Sequence, residues 1–383
     1  MSERFPRGAA SIAGLATFGI GEMPGFSSLE LAAKASLMAL DDAGADLREV
    51  DGLFGCLPAD LFSTLSLAEY FRITPRFTDN NRTGGSSFIS HIITASVMID
   101  AGYLDNALIF YGSNQRSAGG KLATPAKSSE WEAPYDPIFP MSSYALVAAR
   151  HIHEFGTTRQ DLAAIAVAAR QWANTNPEAF AQGPLTIEDC MASRMISSPL
   201  SKADCCLVTD GAAALYLTST PRAKDGPKPA VPILGAAAAT WHNSITAMPD
   251  LTCTAAQESG KRAMSDAGVT PTQMDTVQLY DAFTINTLIF LEDLGFCKKG
   301  EGAAFIANGR IAPGGSLPVN TNGGGLSCCH PGMYGMFAIV EAARQIRGEA
   351  ANQQNDAHLC LAHANGGTLS SQATAILGSA STV

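Results

Sequence analysis

Apolar runs and segments of helical period alternate along this chain. Ser11–Gly21 is apolar, follows two arginines and reads as a buried first strand. Asn106–Gly112 (NALIFYG) and Val231–Ala238 (VPILGAAA) are further buried-strand runs. Phe88–Gly102 and Gly335–Gly348 read as helices, and His358–Gly367 with Gln372–Gly378 as the last two strands. Between them, Ser117–Leu200 has a different texture, rich in Pro, Tyr, Trp and Met. It shows one clear helix, 159–174, and reads as an insertion over a pocket.

The pattern also repeats. Leu31–Leu53 and Ala255–Val277 share identities at one offset of 224 residues: Ala32 with Ala256, Ala39 with Ala263, Asp42-Ala43-Gly44 with Asp266-Ala267-Gly268, Asp51 with Asp275. Each copy predicts a helix closed by a glycine suited to the left-handed cap, followed by an apolar strand. Duplication explains this better than two unrelated helix–Gly–strand units.

Composition narrows the class. A chain of 383 residues, 46% hydrophobic and 16% charged, builds a large core, which excludes disordered and fibrous classes. The net charge of −10, with no Lys/Arg block, argues against nucleic acid or a membrane surface as partner. The nine cysteines form no CxxC pair, so neither a zinc ribbon nor a disulfide framework is indicated; this predicts no metal site and a reducing, cytoplasmic compartment. No apolar run approaches ~18 residues, so no membrane span is predicted.

Five segments in order carry a family resemblance: His153–Phe180, Pro184–Leu217, YDAFT (Tyr280–Thr284), NGGGLSCCHPGMYG (Asn322–Gly335) and HANGGTLSSQATAIL (His363–Leu377). Together they resemble the thiolase superfamily, in particular the sterol-carrier-protein-type thiolases, over nearly the whole chain. The resemblance implies a five-layered αβαβα fold of two duplicated halves, a homodimer, and acyl-CoA substrates with no other cofactor. It divides the chain into an N-terminal half (1–116 and 201–225), an inserted loop domain (117–200) and a C-terminal half (226–383).

The sequence departs from that family where its chemistry begins. A thiolase needs a nucleophilic Cys at a helix N-terminus, where the dipole lowers its pKa. Aligning Asn81-Arg82 on the family's Asn-Arg puts Gly84 in that place, and no cysteine lies between Cys56 and Cys190. Ser86 and Ser87 lie beside it and read as helix caps rather than nucleophiles. The second family thiol is missing too, with Ala282 or Ala364 at its position. Cys328 and Cys329 match neither site and read as small buried residues.

The remaining polar set still points to catalysis. His330 matches the thiolase His, with Pro331 suited to the first turn of a following helix. Tyr280 replaces the family's His or Asn at a strand end, and Asp281 reads as an orienter of the loop or of His330. Tyr334 and His363 are weaker candidates near the same mouth, and His91 reads as core. Gly84, Gly324, Gly366 and Gly367 are the expected close-approach positions for substrate.

Three functions follow as expectations. Some cysteine-free relatives are retro-aldolases on β-hydroxyacyl-CoA, including steroid side-chain esters; that chemistry needs a base and an enolate stabiliser but no thiol. In that reading Tyr280 is the base and His330 the stabiliser or proton donor. The alternatives are acyl transfer without the usual Cys, or a silent acyl-CoA-binding subunit. The inserted segment offers few cations for CoA phosphates, among them Lys121, Lys127, Arg159, Arg170 and Arg194. A separate OB-fold, zinc-ribbon subunit in an α2β2 assembly is therefore expected to complete the channel.

Overall fold

The computed structural model describes residues 5–119 and 130–383. The chain runs β1 (Ala10–Gly21), α1 (Ser28–Ala43), β2 (Gly52–Cys56), α2 (Ser63–Phe71), β3 (Phe77–Asp79), α3 (Ser87–Asp100) and β4 (Asn106–Ser113). An intervening segment follows, with α4 (Gln115–Gly119), α5 (Met141–Phe155), α6 (Arg159–Ala173), α7 (Ile187–Ala192) and the short pair β5 (Met195–Ser197) and β6 (Leu200–Ser201). The rest is β7 (Asp210–Ser219), α8 (Thr220–Lys224), β8 (Val231–Thr240), α9 (Ala256–Ala267), β9 (Thr276–Leu279), α10 (Thr284–Asp293), α11 (Gly302–Ile306), α12 (Gly335–Arg347), β10 (Leu359–Gly366) and β11 (Ser371–Gly378).

The repeat is visible in the strand order, β3-β2-β4-β7-β1-β8-β11-β10-β9. The run β2-β4-β7-β1 is mirrored by β9-β10-β11-β8, each with one parallel pairing followed by two antiparallel ones. The two halves meet where Ser11 and Ile12 of β1 pair with Pro232 and Val231 of β8. Even the close contacts repeat. A Cβ at Gly14 would overlap the Ala39 carbonyl, and one at Gly235 the Ala263 carbonyl, so a glycine lets the repeated helix lie on its strand in both copies. Gly44 and Gly268 close α1 and α9 at φ 64° and 71°.

Layering follows from strands buried on both faces. On β4, Leu108 and Phe110 join the cluster around α1, while Ile109 and Tyr111 join the cluster that holds α3 residues Phe88, Ile89 and Ile92. α3 packs on β4 and β8, and α12 on β7 and β10, so these two helices lie between the half-sheets. α1 and α9 cover the outer faces, giving the expected αβαβα stack.

Two local expectations are corrected. The inserted segment carries α5 and α7 besides α6. The buried face of α5 includes Tyr144, Val147, Ala148 and His151; two of these four anchors are polar-tipped, which hid the apolar stripe. The helix after His330 starts at Gly335, not at Pro331. His330 to Met333 form a turn with Gly332 at φ 102°, so His330 projects from a loop. Lys121 and Lys127 lie outside the described residues.

Candidate active site

Tyr280 follows the last residue of β9, and its backbone N–H continues the pairing to the His363 carbonyl (3.0 Å). Its hydroxyl lies 3.1 Å from His330 Nε2 and 3.2 Å from the Gly332 carbonyl, and its single proton can turn to either acceptor. The two rings meet edge to face, and Tyr334 stands edge-on to Tyr280 at 5.9 Å. The backbone of His330 is fixed by Thr209 Oγ1 and by Gln115 Nε2, while its Nδ1 has no hydrogen-bond partner among the described residues. Burial lowers the imidazole pKa to about 4 and pushes the phenol well above its usual value. The pair is therefore neutral at rest, and a proton can pass across its 3.1 Å contact.

Asp281 is fully buried and shapes the glycine loop. Its carboxylate accepts from the N–H groups of Gly325 (2.6 Å) and Leu326 (3.3 Å). A Cβ at Gly324, where φ is 65°, would overlap that carboxylate. Burial raises the Asp281 pKa to about 7 against those backbone donors. A Cβ at Gly325 would meet the Asp281 carbonyl and Oδ1 at 3.1 Å and His330 Cδ2 at 3.2 Å, so the glycine loop lies between Asp281 and the His330 ring.

The missing thiol has a structural counterpart. Gly84 (φ 96°) packs backbone to backbone on the last loop: its Cβ would lie 2.7 Å from Gly366 Cα and 3.0 Å from Gly367 N. The glycine that faces the reactive pair is the next one, Gly85, where a Cβ would overlap Tyr280 Cε2. Tyr280 thus fills the space into which a side chain at the head of α3 would project.

The serines are corrected. Neither Ser86 nor Ser87 caps α3 through its side chain as expected. Ser86 Oγ meets Ser371 Oγ (3.0 Å), and Ser87 Oγ accepts from the Thr83 N–H (2.9 Å). Both are buried among hydroxyls, and among the described residues no base is hydrogen-bonded to them to activate them.

Cys328 and Cys329 are buried, as expected. The half-buried thiol nearest in effect to the reactive pair is Cys206, which lies close enough to Tyr280 and Tyr144 to disfavour their ionisation. Burial drives its own pKa well up, so it rests as a thiol.

Tyr334 is buried and donates to Asn322 Oδ1 (2.9 Å). His363 is corrected from the mouth to the sheet interior, where its ring meets Thr374 and Gln372. Its place in β10 gave the alternation of faces but not which face carried the site. His91 is core, 3.5 Å from Asp79. Among the described residues, the expected cation that reaches the glycine loop is Arg170, through Ser327 Oγ at 3.1 Å; Arg194 is exposed. Arg170 and Lys202 flank a cleft that opens onto Leu326 and Ser327. Sequence reasoning missed Gly85, and also Tyr144, Asn286 and Asn365. For the last three, only the polar tips within buried helix and strand patterns were there to be noticed.

A duplicated five-layer fold with paired glycine loops, a buried His–Tyr pair and glycines in place of a thiol before α3 defines a thiolase-like enzyme without the thiolase nucleophile. Residues 237–379 match the family model described as "Thiolase C-terminal domain-like". The chain is 35% identical over 371 residues to a steroid side-chain-cleaving aldolase of Thermomonospora curvata, covering 91% of this chain and 93% of that protein. It is 35% identical over 367 residues to the 17-hydroxy-3-oxo-4-pregnene-20-carboxyl-CoA lyase of Mycobacterium tuberculosis, covering 90% and 93%. A solved Ltp2–ChsH2(DUF35) aldolase superposes with a TM-score of 0.89 at 34% identity, covering 97% of this chain and 98% of its own. The chain belongs to the thiolase superfamily, in the branch that holds the steroid side-chain-cleaving aldolases.

Proposed function

We propose that this chain is a carbon–carbon lyase that cleaves a β-hydroxyacyl-CoA by a retro-aldol reaction, with a steroid or aromatic side-chain ester as substrate. The observation that carries this reading is the Tyr280 ring standing against Gly85: the acyl-enzyme route has neither a thiol nor room for one. The names of the aldolase and lyase relatives support the same chemistry; the lyase's substrate name puts a hydroxyl on the carbon next to the one bearing the CoA ester.

The balanced step uses the resting pair. The β-hydroxyl proton passes to the Tyr280 oxygen as the Tyr280 proton moves to His330 Nε2. The Cα–Cβ bond breaks, its electrons form the enolate of the shortened thioester, and the β-carbon leaves as a ketone or aldehyde. The proton on His330 then returns through Tyr280 to the enolate α-carbon. The neutral imidazole is the form that accepts a proton. No cofactor beyond the CoA thioester enters this scheme. Asp281 keeps the glycine loop, and with it His330, in register.

The same reading retains a cytoplasmic location, the domain limits 1–116 with 201–225, 117–200 and 226–383, and a homodimer. The dimer is supported by β3, an edge strand of three residues beside exposed Leu61, Phe62 and Leu65. An OB-fold zinc-ribbon partner is supported by the two-component composition of the solved aldolase relative and by the few cations on the inserted segment.

The test is direct. The purified chain, alone and with its candidate partner, is given a 17-hydroxy steroid carboxyl-CoA. Release of the 17-ketone with an acyl-CoA shortened at the broken bond supports the lyase. CoA-dependent thiolysis of a β-ketoacyl-CoA, or binding without turnover, overturns it.

A further inference from the structure

A hydrogen-bonded chain that begins inside the C-terminal half-sheet ends at a phenol for which the proton transfer above has no use. Thr374 Oγ1 meets His363 Nδ1 at 2.9 Å, and His363 Nε2 meets Gln372 Oε1 at 3.0 Å. Gln372 Nε2 donates to Asn365 Oδ1 (2.8 Å), and Asn365 Nδ2 donates to the Tyr144 hydroxyl (2.9 Å). Each link fixes the polarity of the next. Gln372 presents its oxygen to His363, so Nε2 carries the ring proton; Asn365 spends its oxygen on Gln372, so its amide N–H points at Tyr144. Burial keeps His363 neutral, with a pKa lowered to about 3.

Tyr144 therefore already accepts and has one proton left to give. That proton goes to the Gly367 carbonyl over a long 3.3 Å. The ring is held in place by stacking on Phe283 with centroids 4.3 Å apart. Asn286, the third residue of α10, is fully buried and near enough to the Tyr144 hydroxyl to act on it. Yet among the described residues neither Asn286 Oδ1 nor Nδ2 makes a hydrogen bond. An unpaired buried carboxamide costs about 1–3 kcal/mol, so the fold gains nothing from keeping it empty-handed.

Both groups lie near the reactive pair. Phe283, which carries the Tyr144 ring, lies three residues beyond Tyr280. The Asn365 carbonyl and the Tyr280 ring both press on Gly85.

We propose that Tyr144 and Asn286 form a second polar contact near the Tyr280–His330 pair and donate hydrogen bonds to the thioester oxygen of the bound acyl-CoA. A retro-aldol site has two oxygens to serve. The β-hydroxyl must lose a proton and needs an acceptor, which the neutral Tyr280–His330 pair provides. The thioester oxygen gains negative charge as the enolate forms and needs donors only. Tyr144 is committed to donating by Asn365, and the Asn286 amide N–H is unspent. The enolate role rests on the lyase reading; the contact with the thioester oxygen does not.

Calorimetric titration tests the contact without turnover. An acyl-CoA thioester and the S-alkyl-CoA thioether of the same chain, which lacks only the carbonyl oxygen, are compared on the full chain. The wild type should bind the thioester about 5–10-fold more tightly, the scale of one or two neutral hydrogen bonds. Asn286→Leu and Tyr144→Phe should each cut that preference to about two-fold or less, while His330→Ala keeps it. Asn286→Leu should also melt at or above the wild-type temperature, because it removes an unpaired buried amide. Should Asn286→Leu fail to fold, Tyr144→Phe carries the same reading. The proposal is overturned if the wild type shows no preference, or if the variants that fold retain it. Failure of the lyase reading shows separately, as a wild type that releases no ketone or aldehyde while the thioester preference still responds to Tyr144→Phe.

Discussion

The ring of Tyr280 occupies the place into which a side chain at Gly85 would project. A side chain at residue 85 and the phenol therefore exclude each other: with Tyr280 in position, only glycine fits there.

Gly85→Cys should therefore not restore thiolase chemistry. It should destabilise the fold by about 1–3 kcal/mol through overpacking. Tyr280→Ala combined with Gly85→Cys should recover much of that loss, giving a strongly non-additive cycle in denaturant melts. Additive effects would mean that the two residues do not share the space.

Tyr280→Phe and His330→Ala should each lower kcat by roughly 100-fold or more, the usual scale for a lost proton-transfer group. The double variant should be little worse than either single one, because the two act as one proton carrier across 3.1 Å. Steady-state assay of ketone release measures both. Independent, multiplying losses would separate their roles.

The fold was legible in the sequence because duplication leaves paired marks. Ala39 with Ala263 and Gly44 with Gly268 announced two corresponding helices, and those helices lie on equivalent strands. His330 and Tyr280 were also readable, and they do meet. The choice between Gly84 and Gly85 was not, since it depends on which glycine takes the positive φ and turns its missing Cβ toward the last loop. Tyr144 stayed hidden because α5 alternates aromatic and histidine anchors with alanines. His363 was placed at the mouth because a strand's alternation does not say which face holds the site.

Asp281 gives a stability prediction with a definite sign. Its folded pKa, raised by burial to about 7, lies above the ordinary value near 4. Between those values the folded state holds a proton that the unfolded state has lost, so wild-type stability falls as pH rises through about 4 to 7. Asp281→Asn, which mimics the protonated acid, should gain on the wild type across that window and hold its lead above it. His330 acts in the opposite sense. Its pKa is lowered to about 4, so its contribution rises with pH from about 4 to its ordinary value near 6.5. Chemical melts of wild type and Asp281→Asn at stepped pH check the sign; a difference that shrinks as pH rises would contradict it.

Alkylation should spare the enzyme. Cys206 is half-buried near the reactive tyrosines, but burial holds it as a thiol rather than a thiolate. Iodoacetamide at neutral pH should leave most of the turnover, and Cys206→Ala should turn over within about threefold of wild type. Rapid inactivation that substrate prevents would restore a thiol to the mechanism.

The last prediction concerns the sheet edge. β3 presents three residues, Phe77–Asp79, at the end of a nine-stranded sheet, with no strand paired to its outer side among the described residues. Beside it Leu61, Phe62, Leu65 and Tyr70 are each more than half exposed, a concentration of apolar surface unusual for a monomer. A second copy of the chain meeting this edge would cover both the strand and the apolar side chains. Phe62→Asp with Leu65→Asp places two charges where a dimer would exclude water, without touching the core of α2, which rests on Leu67 and Ala68. Light scattering after size exclusion should read a dimer for the wild type at micromolar concentration and a monomer of unchanged melting cooperativity for the double variant. A wild-type monomer, or a variant that still dimerises, would place the interface elsewhere or remove it.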